Sequence, residues 1–548
     1  MSAASKNDRW RWLTGGAVAV SLLAFTLLIA LLGWQGLRYF WPHPVTLFTL
    51  QQPVGTTQLL GEIVQSQVVS RERLAASGMP DTEALPDEVK RYLIKTGNRD
   101  FAKSDFHSVL SSRIIQRERP AGAIVLQRRV GGMAYGWFDG LLEKGQPLVA
   151  KDLALTLQDR IKQTRERQAE ADRLRQVSMA RLNSEMRKLA LHRQQLQGAG
   201  EYSAQAESIY QADNAELQRQ FTQRARQLQE LGSEIERTVL VLRDVNGQQH
   251  QIPLNQILAA WSPNTMSYGE KWQHFARQLW HFVSNSPGDS LGNSGVFPAI
   301  FGTVLMVLLM SIVVMPLGVI AAIWLHEYAG NSLITRLVRI AVVNLAGVPS
   351  IVYGVFGLGF FVWLIGGSLD KLFFSSSLPA PTFGTPGLLW ASLTLALLTL
   401  PVVIVATEEG LSRIPPSLRQ GSLALGATRA ETLWHVTLPQ AVPAMLTGLI
   451  LAVARAAGET APLMLVGVVK MVPELPVDAV FPYLHLDRKF MHLGFQIYDL
   501  AFQSPDAQAD RPLVFATALL LVLIILSLNL LAMGLRHRLR ERYRALMS

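Results

Sequence analysis

Residues 297–325 read FPAIFGTVLMVLLMSIVVMPLGVIAAIWL, a run without one charged side chain. At ~1.5 Å per residue a helix of this length crosses the ~30 Å hydrocarbon core of a bilayer. Pro298, Gly302, Pro316 and Gly318 interrupt the run, and bilayer-buried helices tolerate such residues. Working outward, further apolar runs occupy about 337–366, 387–407, 442–468 and 512–534, and one lies far upstream at 13–34. Six spans result, and an even number places both termini on the same side of the membrane. Lys6, Arg9 and Arg11 precede the first run as they would in a signal peptide. That run is longer than a signal core, however, and Trp34-Gln-Gly-Leu-Arg-Tyr-Phe-Trp41 is a poor small-residue cleavage site, so an uncleaved anchor is expected.

Composition fits this pattern. Of 548 residues 49% are apolar and only 17% charged, against about 25% charged in soluble proteins. The absence of cysteine excludes disulfides, thiolate metal sites and cysteine nucleophiles. A formal charge of +10 admits nucleic acid, but membrane proteins also concentrate Lys and Arg on one side, and no nucleic-acid partner is expected. Basic residues cluster in the N-terminal tail, in the C-terminal tail from Arg536 to Arg544, and in the 408–441 loop at Arg413, Arg419 and Arg429. The 367–386 loop has only Lys371, and 469–511 mixes bases with Asp478, Asp487, Asp499, Asp506 and Asp510. The expected localisation is therefore a cell inner membrane. Both termini (1–12 and the basic tail 535–548) and the 408–441 loop face the cytoplasm, and residues 35–295 are periplasmic.

The exported segment carries a signal of its own. No proline occurs between Pro147 and Pro253, and strong helix formers fill 153–197 and 203–237. Phe221, Leu228 and Ile235 recur every seven residues, with Leu217 and Leu231 completing an a/d seam; Met179, Leu182, Met186 and Leu189 fit the same spacing. Gly198-Ala199-Gly200 marks a reversal. The reading is an antiparallel coiled-coil hairpin over about 153–237, either a solvated spacer or an arm with a partner of its own. Gln58–Val69 and Ala123–Val130 read as strands, and Thr238–Leu242 with Gln251–Leu254 as a hairpin around Asn246-Gly247. The expected fold class is mainly α: a polytopic membrane protein of six transmembrane helices with a small periplasmic β module bearing the hairpin.

The cytoplasmic loop holds the most specific motif. From Leu418 the chain runs LRQGSLALGATRAETLWHVTLPQAVP. Gly426, nine residues, then Val436-Thr-Leu438-Pro439 is similar to the coupling loop of importer-type ABC permeases, although Gln420-Gly421-Ser422 stands where that pattern has Glu-Ala-Ala. A short helix, a glycine turn and a second short helix stopped by proline would form a rigid knob for an ATPase groove. The near phosphate-loop match Gly421-Ser-Leu-Ala-Leu-Gly426-Ala-Thr428 lacks the required Lys and lies in this motif, so a separate ATPase is needed.

Leu345-Ala-Gly-Val-Pro-Ser-Ile-Val-Tyr-Gly354, Thr407-Glu-Glu-Gly-Leu411 and Ala454-Arg-Ala-Ala-Gly-Glu-Thr-Ala-Pro-Leu463 resemble the phosphate ABC permeases, the last block the PstA type in particular. The resemblance covers about 296–534, plus the first span (13–34) by topology. It implies a type I permease core, a homologous second permease (PstC type), an ATPase dimer (PstB type) and a periplasmic phosphate-binding protein (PstS type), besides the membrane lipid. It also implies a non-catalytic subunit that binds no cofactor, with ATP and Mg²⁺ held by the ATPase. It is silent on residues 35–295.

Arg455 and Glu459, four apart in the fifth span, are the expected substrate-path residues. An ionisable side chain at lipid depth is normally paired or turned to an aqueous path, and the Arg fork suits phosphate oxygens. A structural ion pair is the competing reading. Thr460, Asn344, Ser350 and Tyr353 are further path candidates, although small polar residues also join helix to helix. Gly354, Gly357 and Gly359 fit close packing or hinging, and Glu408, Glu409, His326 and Glu327 lie at the cytoplasmic rim. No catalytic triad and no metal-ligand set is apparent. Two other functions stay open: an importer of another oxyanion such as sulfate, and an envelope scaffold or sensor acting through the coiled coil.

Overall fold

The computed structural model describes residues 3–51, 55–76, 86–97, 104–129, 131–148, 153–198, 200–285, 295–330, 332–375, 381–472, 474–478, 481–504 and 507–545. Val130 and Ala199 of the expected strand and turn, and residues 1–2 and 546–548 of the tails, lie outside them. The chain divides into two compact units, Met1–Tyr39 with Pro298–Ser548, and Phe40–Phe297.

The chain opens with α1 (Ala3–Leu37), which exposes large apolar side chains such as Leu22 and Leu27. The inserted unit then builds two antiparallel sheets. The first has five strands in the order β4-β3-β2-β1-β5: β1 (Val45–Gln51), β2 (Thr56–Ser70), β3 (Glu88–Lys95), β4 (Phe106–Leu110) and β5 (Ile114–Glu118). A short helix α2 (Arg71–Ala76) follows β2. The second sheet runs β10-β9-β7-β6-β11, with β8 (Gln146–Pro147) beside β7. Its strands are β6 (Ala123–Arg128), β7 (Met133–Glu143), β9 (Thr238–Arg243), β10 (Gln249–Pro253) and β11 (Ile257–Trp261). Val45 and Leu60 from the first sheet and Ala123, Val125 and Tyr135 from the second share one core cluster. The β portion is thus larger than the few runs legible in the sequence. The β9–β10 turn is also longer than an Asn-Gly pair: Arg243 pairs with Gln249, and the Asp244 carboxylate accepts the N–H groups of Asn246 and Gln248.

The helical arms begin with α3 (Leu153–Arg173), continue through a π-helical turn (Leu174–Met179) into α4 (Ala180–Gly198), and return in α5 (Ala204–Ile235). Leu217, Phe221, Leu228 and Leu231 are half-buried and Ile235 is buried, so the a/d positions of α5 are turned inward. Arg193 and Glu207 pair across the arms at 3.1 Å. Leu157 and Ile161 of α3 join Leu240, Leu242 and Ile252 in the core of the second sheet, which anchors the hairpin at its base. The unit ends with α6 (Tyr268–Ser284), opened by a Ser267/Glu270 capping box.

The second segment of the first unit comprises α7 (Phe297–Ile323), α8 (Leu333–Leu345), α9 (Ser350–Phe356), α10 (Gly367–Phe373), α11 (Leu388–Ser412), α12 (Pro416–Ala424), α13 (Arg429–Thr432), α14 (Leu438–Gly458), α15 (Ala461–Val466), α16 (Leu493–Tyr498) and α17 (Ala507–Ala545). Six stretches are long and apolar enough to cross a membrane: Trp12–Phe40, Phe297–Tyr328, Ser350–Phe373, Leu388–Ser412, Arg429–Gly458 and Asp510–Arg538. The run expected as one span at 337–366 is instead broken. Pro349 disfavours helical backbone at Val348, so α8 ends at Leu345 and the spanning helix starts at Ser350.

Candidate functional site

The fifth span breaks where the sequence suggested a continuous helix. Pro462 has no N–H to donate and its ring clashes with the carbonyl four residues back, at Gly458. Accordingly α14 stops at Gly458, Glu459 takes extended backbone (φ −78°, ψ 128°), and Pro462 sits in the first turn of α15. Arg455 therefore occupies the last turn of α14, where a cation meets the negative end of the helix dipole, and Glu459 lies just past the helix rather than on its face. The two still meet: Arg455 Nε is 3.5 Å from Glu459 Oε1, with Arg455 about a third exposed. Arg455 Nε, buried, makes no hydrogen bond among the described residues.

The remaining path candidates separate. The Tyr353 hydroxyl is within electrostatic reach of Arg455, but it donates to the Leu345 carbonyl at 2.6 Å and ties α9 to the end of α8. Gly354 meets α15 directly, because a Cβ there would lie 2.7 Å from Pro462 Cα. The Thr460 hydroxyl packs over Gly494. Among the described residues no hydrogen bond or ion pair joins Asn344 or Ser350 to Arg455 or Glu459. Asn344 is exposed at the end of α8, and Ser350 opens α9.

The structure adds residues that the sequence did not mark. His492 is wholly buried with Nε2 unpartnered, and Gln496 Oε1 and Asp499 Oδ1 are buried and unpartnered on the same α16 side, among the described residues. His492 Nδ1 accepts the Gly494 N–H at 3.1 Å, and Thr303 Oγ1 of α7 accepts the Leu493 N–H at 3.0 Å. Burial in an apolar setting pushes the His492 pKa down to about 4, so its ring is neutral. The i, i+4, i+7 spacing of these residues was the available signal, hidden in a segment without an apolar run.

Within the 408–441 segment α12 and α13 are joined by a tight turn at Gly426 into a compact knob. Gly426 has φ +91°, a left-handed turn that a β-carbon would strain, and the Ser422 and Thr432 hydroxyls bond at 2.9 Å across it. Gln420 and Gly421 are exposed, Val436, Leu438 and Pro439 half-buried, and Leu425 and Trp434 project outward. One expectation is corrected: Pro439 does not stop a second helix. A π-helical turn (Leu433–Thr437), closed by the Leu438 N–H on the Leu433 carbonyl, runs straight into α14, and Pro439 is accommodated inside this continuous helix. Glu327, after α7, pairs with Arg419 of α12 at 2.9 Å, fastening the knob to the second span. Glu408 pairs with Arg339 of α8 rather than with the loop, and Glu409 with Arg413. Among the described residues there is no group of three or more His, Asp or Glu arranged to hold a metal.

Residues 314–545 match the family described as binding-protein-dependent transport system inner membrane component. The probable ABC transporter permease protein YqgH of Bacillus subtilis is 36% identical over 195 residues, which are 35% of this chain and 59% of that protein. The phosphate transport system permease protein PstA of Yersinia pestis is 33% identical over 252 residues, 46% of this chain and 75% of the relative. The probable phosphate transport system permease protein PstA of Methanocaldococcus jannaschii is 30% identical over 243 residues, 44% of this chain and 75% of that protein. The chain thus spans less than two thirds of the first relative and three quarters of the other two. Six apolar helices, the glycine-turned knob, the Arg455–Glu459 pair at a broken span and these alignments agree: the chain belongs to the PstA type of ABC transporter permeases.

Proposed function

We propose that the chain is a permease subunit of an ATP-driven inorganic phosphate importer. The observation that carries this reading is Arg455, a guanidinium at a helix break inside the membrane unit, with its Nε left without a hydrogen bond and one carboxylate, Glu459, beside it. A discontinuous span offers polar backbone and side chains where a continuous helix offers none. In this mechanism Arg455 receives phosphate oxygens, and Glu459 holds the guanidinium between turnovers and keeps anion binding weak. Because both side chains reach the chain's own surface, the path is completed by a homologous permease of the PstC type. The exposed Leu425 and Trp434 on the knob dock into a PstB-type ATPase, which binds the ATP and Mg²⁺, and a PstS-type protein delivers phosphate. In this orientation both termini are cytoplasmic and residues 35–295 periplasmic. The a/d seam of α5 is used inside the hairpin, so a partner of the arms would meet their charged outer faces.

The test is ATP-dependent uptake of radiolabelled phosphate by the full complex in proteoliposomes, with sulfate as competitor. Arg455→Gln abolishes uptake while the complex still assembles, and Arg455→Lys, which keeps charge but loses the fork, restores part of it. Unchanged uptake by Arg455→Gln overturns the assignment. Uptake of sulfate in place of phosphate would shift the reading to another oxyanion.

A further inference from the structure

The helix α6 carries two faces. Tyr268, Trp272, Phe275, Ala276, Leu279, Trp280, Phe282 and Val283 form one continuous arc, and Gln273, His274, Arg277, Gln278 and His281 form the other. The apolar arc is only partly used inside the protein. Phe282 packs on Phe40 and Phe275 on Trp41, at ring separations of 5.1 and 6.2 Å. On the polar side His274 is buried against Trp261, and Gln278 donates to Gln127 at 3.0 Å. What remains outside is an aromatic ridge: Tyr268 is 82% exposed, Trp272 60% and Trp280 69%, with Ala276 exposed between the two tryptophans. Water is a poor solvent for such a ridge.

The helix that bears the ridge is tied to both places where the chain meets the membrane. Phe40 is the last residue of the first apolar span, and Trp41, whose ring also meets Trp272 edge-on at 5.3 Å, is the next residue. The return crossing also meets the C-terminal end of α6: the Val296 N–H donates to the Phe282 carbonyl at 2.8 Å and the Phe297 N–H to the Asn285 carbonyl at 3.1 Å, and Phe297 opens the second span. One helix therefore touches the chain both where it leaves the bilayer and where it returns. Tryptophan and tyrosine partition to this depth, where their apolar rings sit among acyl chains and their polar atoms reach the headgroups.

We propose that α6 is an interfacial helix lying in the headgroup region on the side to which residues 40–297 project, with Tyr268, Trp272 and Trp280 immersed in lipid. The helix would fix the base of the inserted unit to the membrane surface through lipid as well as through its two chain crossings. The proposal needs only the membrane spans and is independent of what is transported.

The absence of native cysteine permits a clean test. Ala276→Cys and, on the outer hairpin, Gln220→Cys each give a single spin-label site in the full chain, reconstituted into nanodiscs of phosphatidylcholine and phosphatidylglycerol. The label at 276 is expected to show several-fold lower collision with water-soluble nickel chelate than the label at 220, and higher collision with oxygen. Trp272→Ser with Trp280→Ser should move it toward the value at 220. Equal nickel accessibility at the two sites overturns the proposal. So does a label at 276 shielded from both reagents, which would mean protein rather than lipid covers the ridge.

Discussion

The two units differ in how far small and hydroxylated residues share the interior with large apolar ones. In residues 40–297 most of the largest fully buried side chains are apolar, among them Phe48, Ile94, Leu126, Leu141, Leu240, Leu242, Ile252, Leu254 and Ile257, with Arg128 and Tyr135 buried beside them. In the membrane unit Met306, Leu388, Leu395 and Phe490 are buried too, but small or hydroxylated residues are buried among them, including Ala391, Ser392, Thr394, Thr399, Ala452, Ala456 and Ala457, while Ile312, Leu317, Ile320 and Trp363 point outward. The difference follows from the solvent. Water drives large apolar groups inward in the inserted unit, whereas lipid gives no such drive between helices, and close approach of backbones decides instead. The hydroxyls buried among these helices bond back to their own turns, as Thr394 does to the Trp390 carbonyl at 2.7 Å and Thr399 to the Leu395 carbonyl at 2.8 Å.

The contrast is broken most sharply by equal truncations in the two units. Leu240→Ala removes a wholly buried side chain from the second sheet and should cost about 2–5 kcal/mol. Ile312→Ala removes a side chain that faces outward from α7 and should cost a small fraction of that. Local hydrogen exchange by mass spectrometry, in β7 and β10 for the first and in α7 for the second, measures both. Comparable losses at the two sites would remove the contrast. Gly354→Val probes the membrane unit where it is tight: its Cβ meets Pro462 Cα at 2.7 Å. Separating α9 from α15 should lower stability by ~1–3 kcal/mol, read as a lower melting temperature in detergent.

The same contrast explains what the sequence could disclose. Apolar runs located the helices at 12–40, 297–328, 388–412 and 510–538, because length and hydropathy suffice when the environment is lipid. They misplaced the third span, since hydropathy is blind to the break that Pro349 imposes, and they carried the fifth through Glu459 for the same reason at Pro462. Among the strands β2, β6, β9 and β10 were legible. The EVKRYLIK segment of β3 was not, because its place is set by pairing with β2, with Glu62 opposite Lys95, rather than by its own propensity. Arg455 and Glu459 were legible as charges in an apolar run. The Glu327–Arg419 and Arg339–Glu408 pairs join residues distant in sequence, and only the fold brings them together.

Titration sharpens the comparison inside the inserted unit, with a smaller effect. Burial raises the Glu62 carboxyl to about 7, against the favourable pull of Lys95 and the Tyr135 hydroxyl. The folded state therefore holds this proton longer than the unfolded chain does, and stability from this group falls as pH rises from about 4.5 to about 7, then levels. Burial, helped by Arg277, lowers His274 to about 4. Its contribution has the opposite slope: present above about 6.5 and lost as pH falls toward 4. Glu62→Gln should match the parent below pH 4.5 and exceed it at pH 8, by on the order of 1–2 kcal/mol. Hydrogen exchange in β2 and β3 at the two pH values measures this. A variant no more stable than the parent at pH 8 would refute the burial-driven shift.

The smallest expected stability effect lies at the rim of the membrane unit and is mechanistically the most telling. Glu327 and Arg419 pair at 2.9 Å with both side chains about a quarter exposed, so losing the charge should cost only about 0–1 kcal/mol. Yet the pair is the described ion pair between the knob and the second span, and Arg419 is held a second time through the Leu411 carbonyl at 2.9 Å. If the knob transmits ATPase closure to the spans, Glu327→Gln should leave melting and assembly almost unchanged while lowering transport per ATP hydrolysed. Removing the Glu408 charge, which sits on Arg339 of α8 away from the loop, should lower it less. Parallel measurement of ATP hydrolysis and uptake in proteoliposomes separates the two. Equal loss of coupling in both variants would mean that the rim charges act through general electrostatics and not through the Glu327–Arg419 contact.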